Sequence, residues 1–174
     1  KSLALNLQSA EGREILHRLV KTADVFFGTS LLPAYRKLGA DYETLSALNP
    51  RLIYCTFSGY GQTGPWVHRR AYAPVVGAES GFTKAQGDAR GGVYANDAHS
   101  HADVYTALEC GAAVLAALFQ RERTGRGEHI DISMVDSMFH AHEMAIQGHS
   151  ITKGKWRQKR SGAKSALNSP QGIY

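Results

Sequence analysis

Asp103 is the residue in this sequence whose type and position best suit covalent chemistry. It stands where helical spacing begins: Val104, Ala107, Leu108, Gly111, Val114, Leu115 and Leu118 keep a helical period up to Arg121. A carboxylate at a helix N-terminus is held anionic by the local dipole and N–H groups, as a nucleophile must be. The same position suits an N-cap, whose side chain only accepts a backbone hydrogen bond. Spacing leaves both roles open.

A second constellation is the loop Ser58-Gly-Tyr-Gly-Gln-Thr-Gly-Pro65. Glycines after a buried strand leave backbone N–H groups open and admit close approach by a ligand, a role that suits Gly59 and Gly61. The loop is neither a P-loop nor a dinucleotide fingerprint, so a simple turn is the competing reading. The histidines suggest metal only at first glance. His99 and His101 are two apart, as are His140 and His142, and on a helix that spacing points side chains away from each other. No set at ligand spacing is completed, and no metal is expected. There is no Gly-x-Ser-x-Gly elbow, and neither Cys55 nor Cys110 carries a nucleophile signature.

The elements that must position these residues alternate between strand and helix. Leu3, Leu5 and Leu7 alternate with polar or small neighbours, as in a half-buried strand. Ser9 reads as the N-cap of a helix striped by Ile15, Leu16, Leu19 and Val20 and ending near Lys21. A short strand over 24–27 and short helices over 33–38 and 42–48 follow, and 52–57 is the strongest buried strand. A short helix over 74–79 precedes a second glycine-rich loop at 87–92. Small residues on several faces of the 103–121 helix predict deep burial. A strand over 129–133 and a helix to about Gln147 complete the pattern. Such alternation predicts an α/β fold with a parallel sheet and ligands at the carboxyl ends of the strands.

With 174 residues, 43% of them hydrophobic, the chain suits one domain with a real core and excludes disorder. The longest apolar run, Gly111–Phe119, is about half a membrane span, so no membrane partner is expected. Two widely spaced cysteines fit a reducing, cytoplasmic setting. The opening Lys-Ser-Leu-Ala-Leu has neither an initiator Met nor an apolar signal, and the expectation is part of a longer chain. The net charge of +5 is unevenly placed. Residues 1–143 carry 14 Lys and Arg against 15 Asp and Glu, whereas 144–174 carry six bases and no acid. Those six are Lys153, Lys155, Arg157, Lys159, Arg160 and Lys164, around Trp156. The segment suits a solvated linker, or phosphates of RNA or of a nucleotide.

Several stretches, taken in order, resemble the class III CoA-transferases, a family that includes formyl-CoA transferase, carnitine CoA-transferase and α-methylacyl-CoA racemase. They are Leu5-Asn-Leu-Gln-Ser-Ala-Glu-Gly12, Ala23-Asp-Val25, Leu45 to Tyr54 with Asn49-Pro-Arg-Leu52, and the loop 58–65. Ala78-Glu-Ser-Gly81, Ala102-Asp103, and Leu115 to Gly127 with Arg121-Glu-Arg-Thr-Gly-Arg-Gly follow. The resemblance runs from Lys1 to about Asp136. It implies a Rossmann-like large domain that binds CoA, here partial and covering 1–150, with 151–174 as a basic linker to a small domain. It further implies that the family's first strand and small domain lie outside this sequence, and that the protein is an interlocked homodimer.

The resemblance also implies site residues. Asp103 matches the nucleophile of the transferases, which forms an aspartyl anhydride and then an aspartyl-CoA thioester. Tyr72 falls where racemases of the family place a catalytic His and transferases an aromatic residue. Tyrosine phenols ionise near 10 and are poor bases at neutral pH, which favours transfer. Leu5 and Gln8 match positions flanking the adenine, Lys37 an Arg on the CoA phosphates, and Arg70 a cationic CoA contact. The family's Asn-Phe-Arg-Pro-Gly is replaced here by the segment 29–34, its Asp after position 72 by Ala73, and a Gly by Ala107. The expected activity is acyl-CoA:carboxylate CoA transfer, with acyl-CoA and a small carboxylic acid as substrates. Alternatives are a racemase or epimerase of the same family, a silent CoA binder, and an RNA-binding module built on the basic tail.

Overall fold

Among the described residues three parallel strands form one sheet. The computed structural model describes residues 2–88 and 91–157. Strand β1 (Val25–Gly28) pairs with β2 (Ile53–Ser58), which pairs with β3 (His129–Ser133), in the order β1-β2-β3. Val25 lies opposite Ile53, and Tyr54 opposite His129. Alternation along the strands puts Phe26, Tyr54, Thr56, Ser58, His129 and Asp131 on one face, and Phe27, Cys55, Phe57, Ile130 and Ile132 on the other. Among the described residues the chain also forms eight helices: α1 (Ala10–Val20), α2 (Leu32–Leu38), α3 (Tyr42–Leu48), α4 (Ala73–Glu79), α5 (Phe82–Asp88), α6 (His101–Thr124), α7 (Met134–Ala141) and α8 (Glu143–Ile151). The expected α/β class with a parallel sheet is what forms.

Two compact units divide these elements. The first comprises residues up to Arg70 together with Thr106–Ser133, and the second Ala71–Tyr105 with the chain from Met134 onward.

In the first unit, local signals set the helix ends. The Ser9 hydroxyl accepts from the Gly12 N–H at 3.0 Å, and Asp41 Oδ1 from the Thr44 N–H at 3.0 Å. Gly39 closes α2 at φ +62, where an L side chain would be strained. The core gathers Val20, Leu45, Leu52 and Tyr54, with Leu16, Phe26, Tyr42 and Leu48 packed against it. Tyr54 stacks on Phe26 at 4.8 Å, and its hydroxyl donates to the Ala40 carbonyl at 2.8 Å. That bond satisfies a polar group that burial would otherwise penalise. At Gly127 the chain passes so close to β2 that a Cβ would run into the Leu52 carbonyl.

Arg121 fastens α6 to the amino ends of β1 and β2. Its guanidinium is buried, pairs with Asp24 at 2.7 Å, and donates to the Asp24 and Arg51 carbonyls at 3.3 and 3.0 Å. Further along, the buried thiols of Cys55 and Cys110 are neighbours. Two anchors in that sequence mean that α6 runs antiparallel to the strands. Burial raises the Cys55 thiol from its ordinary 9.0 to about 12.

Four expectations need correction. Residues 3–7 form no strand: alternation is only half of the requirement, and this segment makes no ladder hydrogen bonds with β1, β2 or β3. A helix the sequence reading missed, α5, occupies 82–88. The helix expected up to Gln147 breaks at His142 into α7 and α8. Finally, α6 is not deeply buried. Only a stripe of Ala102, Thr106, Cys110, Ala117 and Arg121 is enclosed, whereas Leu108, Leu115 and Phe119 are 66%, 68% and 63% exposed. At 24 residues α6 is also long and apolar enough to cross a membrane, by length and composition only, a property it shares with core helices of globular proteins.

Candidate active site

The first unit holds the glycine loop. Gly59, Tyr60, Gly61 and Gln62 are all buried directly after β2. Gly61 has φ +80, and a Cβ there would touch Asp131 Oδ2 at 3.4 Å. That carboxylate accepts from the Gln62 N–H at 2.7 Å, so β3 fixes the loop's conformation. The Gln62 side chain ties the loop after β1 as well, accepting from the Leu32 N–H at 2.7 Å and donating to the Ser30 carbonyl at 3.1 Å. At the end of β2 the hydroxyls of Thr56 and Ser58 are buried without a hydrogen-bond partner among the described residues.

The cation-bearing candidates of this unit are on its surface. Lys37, in the last turn of α2, and Arg70 are both exposed. The neighbouring Arg69 lies over the rings of Tyr60 and Trp66, 5.2 and 4.7 Å from their centroids. Leu5 is half-buried and Gln8 exposed, on a segment that Arg13 holds by donating to the Leu7 and Gln8 carbonyls. A cavity of about 170 Å³ opens beside Leu32, Tyr35, Tyr42, Tyr54, Thr56 and His129.

Asp103 and Tyr72 belong to the second unit. Tyr72 precedes α4 and is 77% exposed. Asp103 lies in the first turn of α6 but is not its cap. Ser100, at φ +48, stands before the helix, and its carbonyl accepts from the Asp103 and Val104 N–H groups at 2.9 and 3.1 Å. The capping carboxylate is Asp97. Its Oδ2 accepts from the His101 N–H at 2.6 Å and pairs with His101 Nδ1 at 2.7 Å, while Oδ1 accepts from the His99 N–H at 3.1 Å. Burial pushes the Asp97 carboxyl upward, but the His101 and His99 N–H groups and the His101 ring outweigh it, so its pKa is lowered. The Asp103 carboxylate is exposed and makes no hydrogen bond or ion pair among the described residues.

Sequence reasoning missed Asp97, although a carboxylate four residues before His101 was a usable signal. It also misjudged His99 and His101. The helix begins only at His101, so their rings meet edge-on at 5.8 Å instead of diverging. His101 also stacks on Tyr105 and borders a cavity of about 210 Å³ with Phe82, Gln86, Val93, Asn96 and Asp97. Among the described residues no three metal-ligating side chains gather at one point. Trp156, expected at the centre of the basic segment, packs its ring against Gly148 of α8. Lys159, Arg160 and Lys164 lie outside the described residues.

Comparison with known proteins gives a consistent picture. The sequence profile of "CoA-transferase family III" matches residues 1–174. A succinate–glutarate CoA-transferase of Agrobacterium fabrum is 38% identical over 136 residues, covering 78% of this chain and 34% of that protein. An acetyl-CoA:oxalate CoA-transferase of Acetobacter aceti is 38% identical over 152 residues, covering 87% of this chain and 39% of that protein. The crystal structure of a CAIB/BAIF family protein from Brucella suis superposes with a TM-score of 0.88 at 32% identity, over 99% of this chain and 45% of that one. The chain thus spans between a third and a half of the length of these relatives.

Proposed function

The chain belongs to CoA-transferase family III, and from that premise we propose that its protein moves CoA from an acyl-CoA thioester to a small carboxylic acid, with Asp103 as nucleophile. The observation that carries the proposal is the state of that carboxylate: exposed in the first turn of α6 and released from capping by Asp97. A carboxylate without hydrogen-bond partners keeps its oxygen lone pairs for attack.

The steps are as follows. An Asp103 oxygen attacks the thioester carbonyl carbon, the C–S bond breaks, and a mixed anhydride and CoA thiolate result. The thiolate attacks the aspartyl carbonyl carbon, expelling the donor carboxylate and leaving an aspartyl-CoA thioester. The acceptor carboxylate attacks that same carbon, giving a second anhydride and releasing thiolate. The thiolate then attacks the acceptor's carbonyl carbon, forming the new acyl-CoA and restoring the Asp103 carboxylate. Each addition builds an oxyanion that N–H donors must stabilise.

In the same proposal Tyr72 borders the reacting acyl group, and Leu5, Gln8, Lys37, Gly59, Gly61 and Arg70 contact CoA. CoA enters as substrate, and no metal takes part. The working form is an interlocked homodimer in the cytoplasm, where the neighbouring thiols of Cys55 and Cys110 stay reduced. In the domain scheme, 1–150 is the CoA-binding large domain and 151–174 the linker. The packing of Trp156 on Gly148 argues against an exposed stacking platform for RNA.

The test is intact-mass analysis after incubation with a panel of acyl-CoAs and trapping with hydroxylamine. The complete polypeptide that carries this sequence is expected to yield an adduct or hydroxamate that Asp103→Ala lacks. No adduct, with CoA binding intact, would move the reading to the isomerase or the silent binder.

A further inference from the structure

Two carboxylates lie close to the start of α6, and only one is spent on the helix. Asp97 receives the N–H groups of His99 and His101 and the His101 ring. Its hold spans Ser100, which is kept at φ +48, a conformation costly for a side chain other than glycine. With Ser100 fixed there, its carbonyl faces the Asp103 and Val104 N–H groups and starts the helix at His101. The first turn is therefore held without any contribution from the Asp103 side chain.

We infer that Asp97, with His101 as its clamp, is a positioning residue for the nucleophile: it holds the helix start at His101, so that Asp103 lies inside the first turn and is not drawn into capping. The inference rests on the reading of Asp103 given above. Its physical basis is a competition. Aspartate is among the strongest N-capping residues, and Asp103 is the next carboxylate along the chain. Without Asp97, Ser100 relaxes out of the left-handed region, the first turn frays, and the helix restarts with Asp103 as its cap. The carboxylate that should attack then accepts backbone N–H groups instead, and its geometry shifts. The His101 ring adds a second hold on the same Asp97 oxygen and stacks on Tyr105, one turn further along.

The test compares wild type, Asp97→Ala, Asp97→Asn and Asp103→Ala in the complete polypeptide, by steady-state transfer and by the rate of hydroxylamine-trapped adduct formation. Misplacement of a reacting group by about 1 Å can reduce the rate about 100-fold. Asp97→Ala is expected to lower kcat and the trapping rate about 10- to 100-fold while KM for acyl-CoA stays within about twofold. Asp97→Asn keeps an acceptor oxygen for the His101 N–H and is expected to recover most of the loss. The inference is overturned if Asp97→Ala stays within about twofold of wild type in kcat, or if its loss falls mainly on KM, or if Asp97→Asn restores nothing. Asp103→Ala separates this from the underlying reading. Trapping that survives in that variant sinks the nucleophile assignment itself, whereas its loss there leaves the Asp97 variants to decide the cap alone.

Discussion

At the scale of single residues, the contrast between Asp97 and Asp103 shows what a sequence can and cannot reveal. Both are aspartates near the start of an apolar helix, and either could cap it. The spacing of Val104, Leu108 and Leu115 made the helix legible. Which carboxylate caps it depends on a left-handed Ser100, which no periodicity announces. Tyr72 raises a separate question of reaction type. A racemase needs a base able to remove an α-proton, and a tyrosine side chain is poorly suited to that role. Incubating the complete polypeptide with a chiral 2-methylacyl-CoA in deuterated water should therefore give no label at the α-carbon without an acceptor acid. Wash-in of deuterium under those conditions would mean isomerase chemistry.

At the scale of elements, local signals carried most of the reading. Ser9, Asp41 and Gly39 bound their helices as side-chain and backbone chemistry requires. Long-range features were not visible. Residues 3–7 have the alternation of a strand, yet a strand exists only where another edge accepts its hydrogen bonds. Small residues along α6 signalled close packing on several faces, but only one stripe is covered here. The buried Arg121 lies behind the motif that marked the family, and its hydrogen bonds reach residues far away in sequence. The ion pair itself is lopsided: the Arg121 side chain is 8% exposed and that of Asp24 76%. Replacing Arg121 by Ala strands buried carbonyls and removes packing, and should lower unfolding stability by about 2–3 kcal/mol. Replacing Asp24 by Ala removes only a largely solvated partner and should cost under about 1 kcal/mol. Urea denaturation of the two variants checks this asymmetry, and equal losses would contradict it.

At the scale of the whole molecule, the chain covers 34% and 39% of two transferases and 45% of a related structure. The fold class was readable because alternation of strand and helix is a property of the chain itself. Substrate choice was not, since acyl specificity comes from pocket shape. Transfer also demands several oxyanion donors acting together, and the resemblance assigns some of them to a small domain. Residues 1–174 expressed alone are therefore expected to show no CoA transfer above background in a coupled assay. Robust turnover by this segment would show that the donors it needs are all within it. The apolar side chains of α6 left in solvent, Val104, Leu108, Leu115 and Phe119, make the same segment a candidate for self-association at raised concentration.

The neighbouring thiols of Cys55 and Cys110 join the middle strand to α6. Because burial holds the Cys55 thiol near 12, it is almost wholly protonated in neutral buffer and inert to alkylating reagents while the seam is closed. Each alkylation event at this cysteine therefore records a moment when the helix has lifted from the strand. The pair is a built-in clock for that opening, and its ticking rate, followed as acyl-CoA is added, would report how far substrate steadies the helix that bears Asp103.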